Sequence, residues 1–328
     1  MAVKLAAVFF ISIFFASLLT FLLKRVSLRK NILISQGTPL VGGISIGMAF
    51  FIASFFTSFF WLKLPYEING VILGSGIILI SGIIDDRREL SIIGKFLIQI
   101  IATTVLILFG VRTRIVYIGE ALNIIITYVW IIGITNAMNH LDVMDGLAGG
   151  VAVIASFFFF SLAYLNNNAL VIFFSLSLIG ALLGFLIYNL PPAKVYMGNS
   201  GSHFLGFVLG SIALIAKYAT MERKAALLAP LLILGFPIFD TAFLIWIRIS
   251  KGKSAFNKSN DHLALRFLKL GFTKRRALLC MGLVALTFSA CGFLVSRVPN
   301  PVSIVVVILV VLLSLFLAAK MSRVSVDG

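Results

Sequence analysis

The chain has 328 residues, of which 61% are hydrophobic and only 12% are charged. A soluble domain carries about 25% charged residues, so this composition excludes a soluble globular protein and equally excludes a disordered or fibrous one. Lys and Arg number 27 against 11 Asp and Glu, a net charge of +16. Because no soluble domain is present to bind nucleic acid, this excess indicates membrane topology. We expect one integral membrane domain, 1–328, of all-α class.

Eleven apolar runs follow one another, each close to the length of a membrane-spanning helix of about 20 residues. They fall at 3–23, 41–62, 69–84, 95–110, 122–138, 146–165, 169–189, 203–219, 225–249, 277–296 and 301–319. The first run can also be read as a signal peptide, but its basic cluster follows it, which favours a retained helix. Basic residues concentrate in the odd-numbered loops, with nine in 248–276. The positive-inside rule therefore predicts cytoplasmic odd loops and an external N-terminus.

The third run ends in two adjacent aspartates, Asp85 and Asp86, followed by Arg87 and Arg88. Two carboxylates this close at the edge of an apolar span repel each other and are hard to solvate, as in a general base or a metal site. A solvated helix end, with the two arginines as partners, explains the same residues equally well. The motif alone leaves both interpretations open.

The fifth loop carries Asn139, Asp142 and Asp145 at intervals of three residues. One helical turn would bring their side chains close to one face. Oxygen ligands of this kind suit Mg²⁺, which keeps several waters and is shared with substrate phosphates. Helix capping by Asn139 or Asp142 is the alternative, but capping explains one polar residue better than three.

Two further odd loops offer groups that can bind phosphate. The seventh loop ends in the small residues 198–202, where the N–H groups of a helix start can hold an anion. In the ninth loop, His262 and Arg266 are one helical turn apart and can contact one phosphate together. Asp240 is a functional candidate because a carboxylate within a span is costly. Since these clusters share one side, they favour chemistry at one membrane face over a path through the bilayer.

From Gly37-Thr38-Pro39 to Gly271, these clusters in this order resemble the polyprenyl-phosphate N-acetylhexosamine-1-phosphate transferases, glycosyl transferase family 4. The start at 37–43 looks like the phospho-MurNAc-pentapeptide transferase branch, whereas 136–139 and the eleventh run look more like the GlcNAc branch. The resemblance implies an enzyme that moves a sugar phosphate from a UDP-sugar, UDP-GlcNAc first, to undecaprenyl or another polyprenyl phosphate. It also implies release of UMP and use of Mg²⁺, with Mn²⁺ as an alternative.

The resemblance also implies roles for individual residues. Those implied in catalysis are Asp85, Asp86, Asp142 and His262. Those implied in substrate binding are Asn189, Tyr196, Asp145 and Arg266, with Tyr196 offering a stacking face to uridine. The implied metal ligands are Asn139, Asp142 and Asn199. The implied setting is a bacterial-type cytoplasmic membrane, with the active site facing the cytoplasm, the bilayer as partner, no nucleic acid, and compatibility with a homodimer.

The chain departs from the family's pattern at several of these positions. Asn199 stands where the family usually has a metal-binding aspartate, so one negative charge is missing. Val143 replaces a usual glycine, and Ala264 and Leu265 stand where the GlcNAc branch has a histidine pair. Two alternatives therefore stay open: phospho-MurNAc-pentapeptide transfer, and a catalytically silent lipid-binding or transport protein on the same scaffold.

Overall fold

The computed structural model describes residues 2–60, 65–218, 222–254 and 261–324. Within them the regular structure is almost entirely helical, which confirms an all-α polytopic membrane protein. The helices are α1 (Ala2–Lys30), α2 (Gly42–Phe60), α3 (Glu67–Arg87), α4 (Ile92–Leu108), α5 (Gly119–Leu141), α6 (Leu147–Leu165), α7 (Ala169–Asn189), α8 (Gly198–Ile215), α9 (Ala229–Ile233), α10 (Gly235–Ser250), α11 (Leu263–Lys269), α12 (Lys274–Val295) and α13 (Asn300–Ser322).

The predicted apolar runs correspond to helices of unequal length. Eight of the described helices are long and apolar enough to cross a membrane. The fourth run is a shorter helix, α4, of 17 residues, and the eighth begins at Gly198, before its predicted start at 203. The ends of the second and eighth runs, at 61–62 and 219, lie outside the described residues, as does the segment 255–260 of the ninth loop.

The ninth predicted run is a bent pair of helices. A 3₁₀ turn (Lys224–Leu228) leads into α9, and α10 departs from this direction by 70°. Pro237 accounts for the break, because its ring would clash with the carbonyl of Ile233, four residues earlier, in one continuous helix. A Cβ on Gly235 would lie 2.3 Å from the ring of Phe288. The close approach of α12 therefore requires glycine at this bend.

The core of the bundle lies around α7 and α8. In the most apolar 18-residue stretch of α7, 83% of the residues are buried. The corresponding share is 22% in α1 and 11% in α13. The outer helices expose large apolar side chains such as Phe14, Leu309 and Leu315. In a bilayer these side chains face lipid tails as apolar as themselves, so their exposure costs nothing.

Small residues let the inner helices approach each other closely. A Cβ on Gly180 of α7 would lie 2.7 Å from the carbonyl oxygen of Phe9 in α1, and a Cβ on Gly206 of α8 would lie 2.4 Å from the Cα of Thr135 in α5. Close crossings through glycine are typical of membrane bundles, where van der Waals packing drives association.

A short hairpin that the sequence analysis did not predict leads into α2. Strands β1 (Ile34–Ser35) and β2 (Thr38–Pro39) pair antiparallel. Gln36 and Gly37 join them with φ values of 48° and 77°, as a two-residue hairpin turn requires. The Pro39 carbonyl accepts from the N–H of Tyr196 (2.8 Å), and the Tyr196 carbonyl accepts from the N–H of Gly42 (3.0 Å). The hairpin thus joins the start of α2 to the segment that precedes α8.

Candidate active site

The aspartates at the end of α3 have different partners. Asp86 reaches the start of α8, where its Oδ1 accepts from the N–H of Asn199 (2.7 Å) and its Oδ2 from the N–H of Ser200 (3.1 Å). A Cβ on Gly198, whose φ is +75°, would lie 2.6 Å from Asp86 Oδ2, so this contact needs glycine. A carboxylate at a helix start is stabilised by the helix dipole. The anion at the start of α8 is thus Asp86, which corrects the expectation that free N–H groups there hold phosphate.

Asp85 is held by α4 and by the turn before it. It is only 6% exposed, and its Oδ1 accepts from the N–H of Leu90 (2.7 Å). Its Oδ2 lies 2.7 Å from Nζ of Lys95, in the first turn of α4. The interpretation as a solvated end paired with Arg87 and Arg88 is therefore wrong for Asp85. Lys95 was not among the predicted site residues, although a lysine just inside a span is the signal that could have identified it.

The end of α5 meets the start of α8 through side-chain amides. Asn139 Nδ2 donates to Asn199 Oδ1 (2.9 Å) and to Ser202 Oγ (2.9 Å). The structure therefore brings two of the three predicted metal ligands into direct contact. Asn199 donates its backbone N–H to Asp86 as well, so one residue links α3, α5 and α8.

Asp142 follows directly after α5, as its C-terminal capping residue. Helix α6 begins after Gly146, with no side-chain cap, so neither Asn139 nor Asp142 caps it. In the part of the chain that the structure describes, no hydrogen-bond donor contacts the Asp142 carboxylate. Burial first, and then the charges of Asp86 and Asp145, raise the pKa of Asp142 to about 7. Two neighbouring carboxylates thus oppose the ionisation of Asp142, and a bound cation would relieve this repulsion.

The loop after Asp142 is joined to the loop before α8. Asp145 Oδ2 accepts from the N–H of Ala193 (3.3 Å) and lies 3.5 Å from Nζ of Lys274, at the start of α12. Asn189 is buried, and it accepts from the N–H of Gly146 (2.9 Å) and donates to the carbonyl of Val195 (2.9 Å). Both ends of its amide thus hold the two loops together. The half-buried ring of Tyr196 lies in the second of these loops.

A second group of polar side chains surrounds the start of α11. His262 precedes this helix, and its Nδ1 lies 3.9 Å from Asp240 Oδ2 in α10. His140, next to Asn139 in α5, is within electrostatic range of His262, Arg248 and Asp240. His140 thus lies between this group and Asn139 in the chain. His140 was not among the predicted site residues.

Arg266 does not join either group. It is 1% exposed, it pairs with Asp261 at 3.2 Å, and it donates to the carbonyls of Met321 (2.9 Å) and Val324. The Arg266 N–H donates to the His262 carbonyl (3.3 Å), so the two residues are one helical turn apart as predicted, but their side chains have different partners, Asp240 for His262 and Asp261 for Arg266. Arg266 fastens α11 to the end of α13.

The chain is similar to known proteins over the residues that form this junction. The model of glycosyl transferase family 4 matches residues 68–217. A probable undecaprenyl-phosphate N-acetylglucosaminyl 1-phosphate transferase of Bacillus subtilis is 27% identical over 94% of this chain and 90% of its own length. The decaprenyl-phosphate N-acetylglucosaminephosphotransferase of Mycolicibacterium smegmatis is 32% identical over 74% of this chain and 68% of its own length. A phospho-N-acetylmuramoyl-pentapeptide-transferase of Halalkalibacterium halodurans is 32% identical over 56% of this chain and 62% of its own length. The matched residues 68–217 include the whole junction of α3, α5 and α8.

Proposed function

The chain belongs to glycosyl transferase family 4, and from this membership we propose that it transfers N-acetylglucosamine 1-phosphate from UDP-N-acetylglucosamine to a polyprenyl phosphate, releasing UMP. GlcNAc is favoured over phospho-MurNAc-pentapeptide because the relatives that match the larger share of this chain are named for GlcNAc transfer. The observation that carries the proposal is the junction of α3, α5 and α8, where Asp86, Asn139 and Asn199 meet beside Asp142.

The reaction is an in-line displacement at phosphorus. A phosphate oxygen of the lipid forms a bond to the β-phosphorus of the nucleotide sugar while the bond from that phosphorus to UMP breaks. A phosphate monoester has a second pKa near ~6, so the lipid phosphate is mostly ionised at pH 7 and needs no strong base. Asp85 and Asp86 are already engaged with donors. We assign them to orienting the reacting phosphates and the start of α8, rather than to abstracting a proton.

The residues at the junction fit Mg²⁺. The Asp142 carboxylate and the amide oxygens of Asn139 and Asn199 are hard oxygen ligands. Among the described residues, no three His, Cys, Asp or Glu are arranged to hold a metal by themselves. Mg²⁺ is commonly bound through one or two carboxylates and shared with substrate phosphates. When bound, Mg²⁺ neutralises the diphosphate and the charge that develops on the departing UMP.

The proposed topology has eleven crossings. The spans would be the eight long helices together with three further ones, namely α4, α8 and the bent pair α9–α10. The N-terminus would lie outside. The junction then faces the cytoplasm of a bacterial-type inner membrane, where a UDP-sugar is available. The support is the concentration of basic residues in the odd-numbered loops.

The test is UMP release by the purified full chain. We expect UMP only when undecaprenyl phosphate, Mg²⁺ and UDP-GlcNAc are all present, and much less with UDP-MurNAc-pentapeptide. The matched control is Asp142→Asn, which removes the charge but keeps the shape of the side chain and should abolish most turnover. UMP release that favours UDP-MurNAc-pentapeptide would reassign the donor, and no release with any UDP-sugar would overturn the proposal.

A further inference from the structure

A large cavity opens at the end of the bundle opposite the aspartates. Its volume is about 960 Å³, and its wall combines the start of α3, the segment 110–117, the first half of α5, the end of α8 and α9. Helix α3 has Glu67 at this end and Asp86 at the other. Its 21 residues span about 30 Å at 1.5 Å per residue, the thickness of a bilayer's hydrocarbon core. The cavity is therefore separate from the junction, on the other membrane face.

The described wall of the cavity is positively charged. Its charged residues are Glu67, Arg112, Arg114, Lys217 and Lys224. Arg112 is paired with Glu120 outside the cavity. Among the described residues, Arg114 donates to the carbonyl of Gly110 alone (2.9 Å), and the Lys224 ammonium lies over the Tyr117 ring at 5.0 Å. Three basic groups thus outweigh one carboxylate at the mouth.

The inner wall of the cavity is lined by apolar side chains that remain partly exposed. Ile126 of α5 is 39% exposed and Leu231 of α9 is 43% exposed. Apolar side chains of this kind are covered favourably by a lipid tail. A free inorganic anion would neutralise the mouth but leave these apolar side chains uncovered, whereas an amphiphile satisfies both parts.

We propose that this cavity binds an anionic phospholipid from the leaflet opposite the aspartates. Its phosphate would lie between Arg114, Lys217 and Lys224, and one acyl chain would run between α5 and α9. Each basic residue near a membrane surface strengthens the binding of anionic lipid about fivefold. The phosphate contacts therefore select anionic over zwitterionic lipid, and the bound lipid fills the gap between α5, α8 and α9.

The experiment is native mass spectrometry of the full chain, delipidated in detergent and titrated with phosphatidylglycerol or phosphatidylcholine. We expect phosphatidylglycerol to bind at least about tenfold more tightly. The double variant Lys217→Ala/Lys224→Ala should lose about 25-fold, and Lys217→Arg/Lys224→Arg should retain binding. The matched control is Lys269→Ala/Lys320→Ala, which removes two exposed lysines at the other end of the bundle and should leave this binding unchanged.

Equal binding of the two lipids, or unchanged binding by the Ala double variant, would overturn the proposal. Displacement of phosphatidylglycerol by millimolar inorganic phosphate would show an anion site and not a lipid site. Tighter binding of undecaprenyl phosphate than phosphatidylglycerol, lost in the Ala double variant, would assign a different occupant. If the Ala double variant does not fold, two other measurements test the proposal. They are the preference of the wild-type chain for phosphatidylglycerol over phosphatidylcholine and the binding of phosphatidylglycerol by the Arg double variant.

Discussion

Asp85 and Asp86 are adjacent in the chain, but they act on different helices. Asp86 binds the backbone N–H groups at the start of α8, and Asp85 binds the Lys95 ammonium on α4. Removing the partner of a buried charge costs more than the pair contributes, because the remaining charge is left desolvated. The two carboxylates should therefore respond differently to substitution of their partners.

Lys95→Met tests the partner of Asp85. We expect turnover to fall by about 10²-fold, because an unpaired Asp85 would move away from the reacting phosphates. Lys95→Arg keeps a cation and should retain most of the activity. UMP release and the thermal midpoint are measured for both variants. Equal turnover for the Met variant and the wild type would show that Lys95 does not position Asp85 for catalysis.

Asp142 should couple Mg²⁺ binding to pH. With its pKa raised to about 7, the carboxyl is mostly protonated at pH 6 and mostly ionised at pH 8, and metal binding requires the ionised form. Mg²⁺ affinity should therefore rise with pH and level off near pH 8. Calorimetry in buffers of different ionisation enthalpy should record release of about one proton per Mg²⁺ at pH 6 and almost none at pH 8. Asp142→Asn should remove the pH dependence, and a flat profile in the wild type would contradict the assignment.

Asn199 is the residue at which this chain departs from its family's usual aspartate. Asn199→Asp adds a charged oxygen in the same place, and Mg²⁺ prefers hard anionic ligands. We expect half-maximal activity at about a tenth of the Mg²⁺ concentration. The variant also places a fourth carboxylate near Asp86, Asp142 and Asp145, so its thermal midpoint without Mg²⁺ should fall. Asn199→Ala is the control, and identical Mg²⁺ curves for all three proteins would show that residue 199 does not contact the metal.

At the scale of elements, the site depends on how closely α3 approaches α8. A Cβ on Gly82 would lie 2.3 Å from the Cα of Ser200, whereas a Cβ on Gly76, in the same helix, would meet nothing within 4 Å. The backbone of α8 cannot yield as a flexible side chain can, so a methyl group at Gly82 must push the two helices apart.

Gly82→Ala and Gly76→Ala form a matched pair on α3. We expect Gly82→Ala to destabilise the fold by about 1–3 kcal/mol through overpacking and to lower turnover, because Asp86 loses its contact with α8. Gly76→Ala should be neutral or stabilising by up to about 1 kcal/mol, since alanine favours helix. Chemical unfolding followed by circular dichroism compares them, and equal stabilities would contradict the close crossing.

Hydropathy could locate the helices but not their contacts. The span length of about 20 apolar residues predicts most of them, and Pro237 could have revealed the break between α9 and α10. The hairpin before α2 is too short to give a strand pattern. The contact of Asp86 with Asn199 joins residues 113 apart in the chain, and Arg266 is covered by the end of α13, 55 residues later. The resemblance supplied the list of site residues, and only the packing of the helices shows which residues hold the others.

At the scale of the whole molecule, the proposed orientation can be tested with two exposed residues. Lys269→Cys and Arg114→Cys lie at opposite ends of the bundle, in a background where Cys280 and Cys291 are serine. An impermeant thiol reagent added to intact cells should label position 114 only, because basic loops stay in the cytoplasm. Labelling both positions equally from outside would contradict the eleven-span orientation.

The carboxylate of Asp86 at the start of α8 has a consequence for inhibition. A helix start of this kind commonly collects small anions, but here a tethered one occupies the position at an effective concentration that no dissolved ion can match. Orthophosphate, sulfate and other inorganic anions should therefore compete poorly at this point, and an inhibitor gains nothing from an acidic group aimed at it. Selectivity then has to come from the nucleoside, the sugar and the lipid tail, the parts of the two substrates that common cellular anions lack.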